Sequence, residues 1–124
     1  MIQLQIPLDP VPASRPRVAR AGFSYYEQPY KGFKDAIKKL FTERWDKEPI
    51  DHEVGVTIVL WVAPPQKSKL PSPKPDVDNY AKAVLDGMNK VVLKDDSLVK
   101  HLLVSKHWAQ PGEPGRIHVF IEPI

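Results

Sequence analysis

The sequence predicts an α+β domain: a mixed sheet of about four strands with two main helices. Three observations carry that expectation. Apolar and polar residues alternate at both ends of the chain and again in its middle, which is the period-two signature of strands. Two other stretches hold apolar residues at a spacing of 3.6, the mark of amphipathic helices. Strand, loop, helix, strand, loop, helix, strand and strand then follow one another through 124 residues without a repeat or a linker. One domain over residues 1–124 is the expected organisation.

Ile2, Leu4, Ile6 and Leu8 alternate with Gln3, Gln5 and Pro7, giving a half-buried strand that Pro7 places at a sheet edge or a strand end. Residues 9–29 are rich in Pro, Arg and small side chains; they predict a long loop with a short strand at Phe23–Tyr26, and loops of this length are usually functional or disordered. Tyr30, Phe33, Ile37, Leu40, Phe41 and Trp45 fall on one helical face, predicting a helix over about 30–47 that Pro49 ends. Val54, Val56, Ile58, Leu60 and Val62 alternate in a second strand. Thr57, Val59 and Trp61 line its other face, so cover on both faces is expected. The segment 64–75 holds five prolines with Lys67, Lys69 and Lys74 and reads as a basic, semi-rigid loop.

Asp76 suits the N-cap of a second helix, because Pro75 disfavours helical geometry at Lys74. Val77, Tyr80, Ala81, Val84, Leu85 and Met88 form its apolar stripe, and Gly87 weakens its last turn. Lys94–Ser97 reads as a turn and residues 98–108 as a strand. The QPGEPG run at 110–115 is a strong turn signal, and Ile117, Val119 and Ile121 alternate in a closing strand. Trp45 and Trp61 are candidates for the core.

Composition narrows the function. Cysteine is absent, which removes disulfides, thiolate zinc sites, thiol nucleophiles and Fe–S clusters. The longest apolar stretch, Val54–Ala63, falls far short of the ~20 residues of a membrane span. MIQLQIPL has no basic stretch of the signal-peptide kind, so a cytoplasmic location is expected. Eighteen Lys and Arg against fifteen acids give a net charge of +3, unevenly placed. Residues 1–40 hold Arg15, Arg17, Arg20, Lys31, Lys34, Lys38 and Lys39 against Asp9, Glu27 and Asp35. Five of the fifteen acids, Asp76, Asp78, Asp86, Asp95 and Asp96, fall within 76–96. A cation-dependent enzyme acting on a polyanion needs both halves, and many ordinary globular proteins show the same unevenness.

The chemistry-bearing stretch is Asp76-Val77-Asp78-Asn79-Tyr80-Ala81-Lys82, followed by Lys94-Asp95-Asp96-Ser97. With 75–78 entering the helix extended, Asp76 and Asp78 point the same way, their Cα atoms ~6.5 Å apart. Lys82 lies one turn after Asp78, ~6 Å along the axis. The Asp95-Asp96 pair reaches the helix start if the chain folds back. Such carboxylates, without Cys or a spaced His pair, select Mg²⁺ or Mn²⁺. In phosphodiester hydrolysis such an ion activates water and stabilises charge at phosphorus, and a nearby Lys orients water or adds positive charge.

The DxDN-(x)2-K segment, the hydrophobic-x-Asp-Asp turn about fourteen residues later, and the Pro-Ser-Arg-Pro-Arg loop after the first strand together resemble the RusA family of Holliday-junction resolvases. Specific residues match around 12–20 and 74–97. The resemblance implies a homodimer that binds four-way DNA junctions and nicks two opposing strands with Mg²⁺, and many members come from phages or prophages. It implies catalytic roles for Asp76, Asp78, Lys82 and Asp96, with Asp76, Asp78, Asp96 and Asp95 as metal ligands. The interval from Lys82 to the Asp pair is one residue shorter than expected, which leaves open which of Asp95 and Asp96 is the third ligand. Paired cuts at symmetry-related phosphates suit a two-fold dimer.

Ordinary roles exist for each residue: Asp76 as an N-cap, Asp78 as a first-turn dipole partner, Lys82 as an i,i+4 partner, Asp86 as a solvated group. Arg15, Arg17, Arg20, Lys67, Lys69 and Lys74 are candidate DNA contacts. Tyr25, Tyr26 and Tyr30 suit stacking on bases or packing in the core. Two rival functions stand beside the resolvase: a nucleic-acid-binding module without cleavage, and a metal-dependent nuclease for another branched DNA or RNA.

Overall fold

A computed structural model describes residues 1–14, 17–18, 20–22, 24–25, 29–64, 70–74 and 76–124. Its main sheet has the spatial order β1, β6, β4, β5. Here β1 is Ile2–Ile6, β4 is Val54–Val62, β5 is Val99–Trp108 and β6 is Arg116–Pro123. Both β1 and β4 pair antiparallel with β6, whereas β4 pairs parallel with β5 from Val54↔Val99 to Val62↔Trp108. Parallel neighbours need a crossover, and the helix α2, Val77–Met88, supplies it. The expected α+β architecture with a mixed sheet is therefore present.

The other helix, α1, spans Tyr30–Arg44. Its Phe33, Ile37 and Phe41 pack with Tyr80, Val84 and Met88 of α2 on one face of the sheet, over Val56, Ile58 and Leu60 of β4. Each such side chain taken from water contributes roughly 1.5–3 kcal/mol. The helix ends three residues before the expected limit. Trp45 is already extended, and its indole N–H donates to the Glu48 carbonyl at 3.1 Å, an alternative to another helical turn.

Four further differences concern side chains and short strands. Val77, expected in the apolar stripe of α2, is 37% exposed, because it opens the helix ahead of the packed turns. Thr57, Val59 and Trp61 stay half-buried rather than covered, and the Arg116 guanidinium lies 4.1 Å from the Trp61 ring centre. Within 9–29 a two-residue strand β2, Arg17–Val18, pairs antiparallel with β3, Ser24–Tyr25. Only the second of these was expected. Gly87 does more than weaken a turn: a Cβ there would sit 2.8 Å from Ile37 Cγ2, so it lets α1 and α2 approach.

Candidate active site

Residues 70–74, between β4 and α2, run along the carboxyl end of the parallel pair. Lys106 Nζ donates to the Pro73 carbonyl at 2.6 Å, and Trp108 Nε1 donates to that of Leu70 at 2.8 Å. Open sheets with parallel strands commonly place their chemistry at this end. Tyr80 fastens the loop to α2 by donating its hydroxyl to the Lys74 carbonyl at 2.6 Å. Burial, with the charge of Asp9 second, pushes that phenol above its usual range.

At this end Asp76 takes the N-cap position in extended geometry, yet its side chain makes no capping hydrogen bond. Its carboxylate is exposed, as are Asp78 and Lys82. Asp78 belongs to the helical first turn rather than to an extended entry, a correction to the geometry expected for the DxD pair. The segment after β1 is strapped to the same place. Ala13 N–H donates to the Asn79 carbonyl at 2.9 Å, and Ala63 N–H donates to Asp9 Oδ1 at 2.8 Å. The chain thus enters the Arg-rich loop beside the start of α2.

Lys82 does not pair with Asp78 one turn before it. Its Nζ lies 3.7 Å from Asp86 Oδ2, the oxygen that also accepts the hydroxyl of buried Tyr30 at 3.2 Å. Tyr30 therefore reaches α2 from the first residue of α1, a contact without a local sequence signal.

The second acidic pair lies elsewhere. Lys90, at φ 69°, helps turn the chain away from α2, and the backbone N–H of Asp96 donates to Asn89 Oδ1 at 3.2 Å. Asn89 is the C-cap of α2 and Asp76 its N-cap. At 1.5 Å per residue the two ends are roughly 20 Å apart. Within one protomer the Asp95-Asp96 turn thus does not fold back to Asp76 and Asp78. Among the described residues, no three His, Cys, Asp or Glu side chains gather as a metal site. The Ser97 hydroxyl donates to Asp95 Oδ2 at 2.6 Å and holds that carboxyl below its usual range; desolvation opposes it, and Lys90 and the backbone N–H groups of Asp96 and Ser97 assist.

Of the candidate DNA contacts, Arg20 and Lys74 are exposed and Arg17 contributes backbone to β2. Arg15, Lys67 and Lys69 lie outside the described residues.

Two comparisons with known proteins bear on this site. The family model of the endodeoxyribonuclease RusA matches residues 7–122, from the residue after β1 to the penultimate residue of β6. The chain belongs to the RusA family. A relative from Bacillus subtilis (strain 168), the uncharacterized protein YqaN, is 48% identical over 54 residues. That match covers 44% of this chain and 36% of the relative. The RusA match takes in both acidic segments and the Arg-rich loop, so the residues at the two ends of α2 fall within one family domain. No helix among the described residues is long and apolar enough to cross a membrane.

Proposed function

We propose that this RusA-family chain is a divalent-metal-dependent endodeoxyribonuclease that resolves four-way DNA junctions as a homodimer. The observation that supports this most is the state of Asp76 and Asp78. Both carboxylates are exposed at the carboxyl end of a parallel strand pair, and Asp76 is not spent on capping its helix. An all-oxygen pair of this kind suits Mg²⁺ or Mn²⁺, which commonly takes one or two carboxylates together with substrate phosphate oxygens and water. When bound, the ion would activate water and stabilise charge developing on the scissile phosphate. Lys82, exposed one turn further on, supplies a positive charge or a water-orienting donor beside that phosphate. The Arg-rich loop and Lys74 would hold the flanking backbone, which positions DNA without reading its sequence.

The distance between the two acidic segments supports a site shared by two protomers. The outer edge of β5 has no paired strand among the described residues. It is ten residues long, and it exposes Leu102 by 44% and Leu103 by 67%. A long unpaired edge invites pairing with another strand. Antiparallel pairing of β5 with the partner's β5 about a two-fold axis exchanges strand ends. It would carry Asp96 of the partner subunit toward Asp76 and Asp78, and the reverse, leaving two equivalent sites for two symmetric nicks.

Cleavage of a labelled mobile four-way junction, with Mg²⁺ and with EDTA, tests the reading. Wild type should give paired symmetric nicks in Mg²⁺ alone and spare linear duplex and flaps. Asp78→Asn should lose more than about a hundredfold in rate, beyond the usual effect of a group that only supports a metal ligand, while still binding the junction. Tight junction binding without cutting in either Mg²⁺ or Mn²⁺ would identify a binding module instead.

A further inference from the structure

The seam between α1 and α2 opens on its solvent side into a polar groove of about 460 Å³. Lys34, Asp35 and Lys38 line it from α1, and Lys82, Asp86 and Asn89 from the α2 side. The sequence explains the alignment. Lys31, Lys34 and Lys38 recur at i, i+3 and i+7, and Lys82, Asp86 and Asn89 at i, i+4 and i+7, so each set forms one stripe along its helix. Lys38 Nζ donates to the Asn89 carbonyl at 3.0 Å, which fixes one ammonium on the groove wall. Lys34 Nζ lies 5.7 Å from the centre of the Tyr30 ring.

The charge pattern departs from that of a helix face serving only solubility. The first turn of α1 has no acid and contains Lys31, although a helix N-terminus disfavours cations. Pro29 at the N-cap offers no capping side chain. Of the two acids in the groove, Asp86 is engaged by Lys82 and by the Tyr30 hydroxyl. With Lys82 and Asp86 paired, Lys34 and Lys38 remain against Asp35 alone, so the groove lining carries a net positive charge. That arrangement suits a chain of phosphates.

We propose that this groove is a track for the sugar-phosphate backbone of one DNA strand, with Lys34 and Lys38 as its phosphate contacts. The assignment rests on the nuclease reading above and adds residues of α1 to its binding surface. The groove begins at Lys82, one turn from Asp78, and runs toward Asn89. A strand whose phosphate sits at the DxD pair thus continues along α2 over the two lysines. Ammonium groups hold phosphates as point charges, so the contact is independent of sequence.

Binding of full-length protein to a fluorescent four-way junction and to linear duplex, in EDTA and over a salt series, tests this. For Lys34→Ala/Lys38→Ala, the slope of log affinity against log salt should fall by about 2, one for each lost phosphate contact. Affinity at low salt should fall about tenfold or more. Lys34→Arg/Lys38→Arg should keep both slope and affinity. An unchanged slope in the alanine variant overturns the proposal, and so does an equal loss in the arginine variant, which would trace the effect to the Lys38–Asn89 tie. A wild type that binds duplex as tightly as the junction would sink the resolvase reading, while the slope on duplex would still decide the groove.

Discussion

Asp86 illustrates how much of the site was legible residue by residue. Its position eight residues after Asp78 placed it on the polar face of α2, and nothing local distinguished it from a solvated acid. The structure makes it the shared partner of Lys82 and Tyr30. A buried phenol needs an acceptor, and that acceptor lies 56 positions away in the chain, beyond any spacing argument. The positions of Asp76, Asp78 and Lys82 were legible because they depend on one helix start. Whether Asp95 and Asp96 return to it was not, since that depends on which end of α2 the next turn meets. At this scale the prediction concerns Lys82. Asp86→Asn should slow junction cleavage about tenfold, in the range for a group that orients an active residue. In a Lys82→Gln background the same change should cost nothing further. Additive losses in that double-mutant cycle, measured as single-turnover rates, would make Asp86 an independent structural group.

The elements followed their periodicities where one face met the core, and departed from them where short-range chemistry intervened. Both helices and β1, β4 and β6 were readable from spacing, and residues 98–108 read as a strand between two turns. The β2–β3 hairpin was only half anticipated, since two-residue strands leave no periodic pattern. The parallel pairing of β4 with β5 comes from the α2 crossover, a matter of connection rather than of composition. Gly87 is the position where the sequence reading was least complete. Propensity marks it as a weakness in α2, worth ~1 kcal/mol against Ala, whereas the helix seam needs the missing Cβ. With Ile37 Cγ2 at 2.8 Å and Phe41 Cδ2 at 3.4 Å from that position, Gly87→Ala should destabilise the fold despite the gain in propensity. Overpacking of this kind costs about 1–3 kcal/mol, so a melting temperature lower by several degrees is expected. A variant at least as stable as wild type would show that α1 shifts freely, and the groove above the seam would then be adjustable rather than preformed.

Across the whole molecule, the separation of the two acidic segments bears on how the enzyme would couple its cuts. If each protomer kept a complete site, a monomer could nick, and pairing of the nicks would depend on two independent events. If each site draws Asp76 and Asp78 from one protomer and Asp96 from the other, no cleavage can occur before the dimer has assembled, and a two-fold junction meets a two-fold enzyme. The half-bare edge of β5 and the ~20 Å length of α2 both favour the shared arrangement. Mixing inactive variants separates the alternatives. Asp78→Asn and Asp96→Asn homodimers should each be inactive. A mixed dimer contains one doubly altered site and one intact site if the carboxylates are exchanged between protomers, so the mixture should regain nicking of a single strand. If both segments act within one protomer, every site in the mixed dimer has lost a ligand and the mixture stays inactive. Recovery should track the fraction of mixed dimers, about half of the total after full exchange of equal amounts by random association, and the products should be single nicks rather than resolved duplexes.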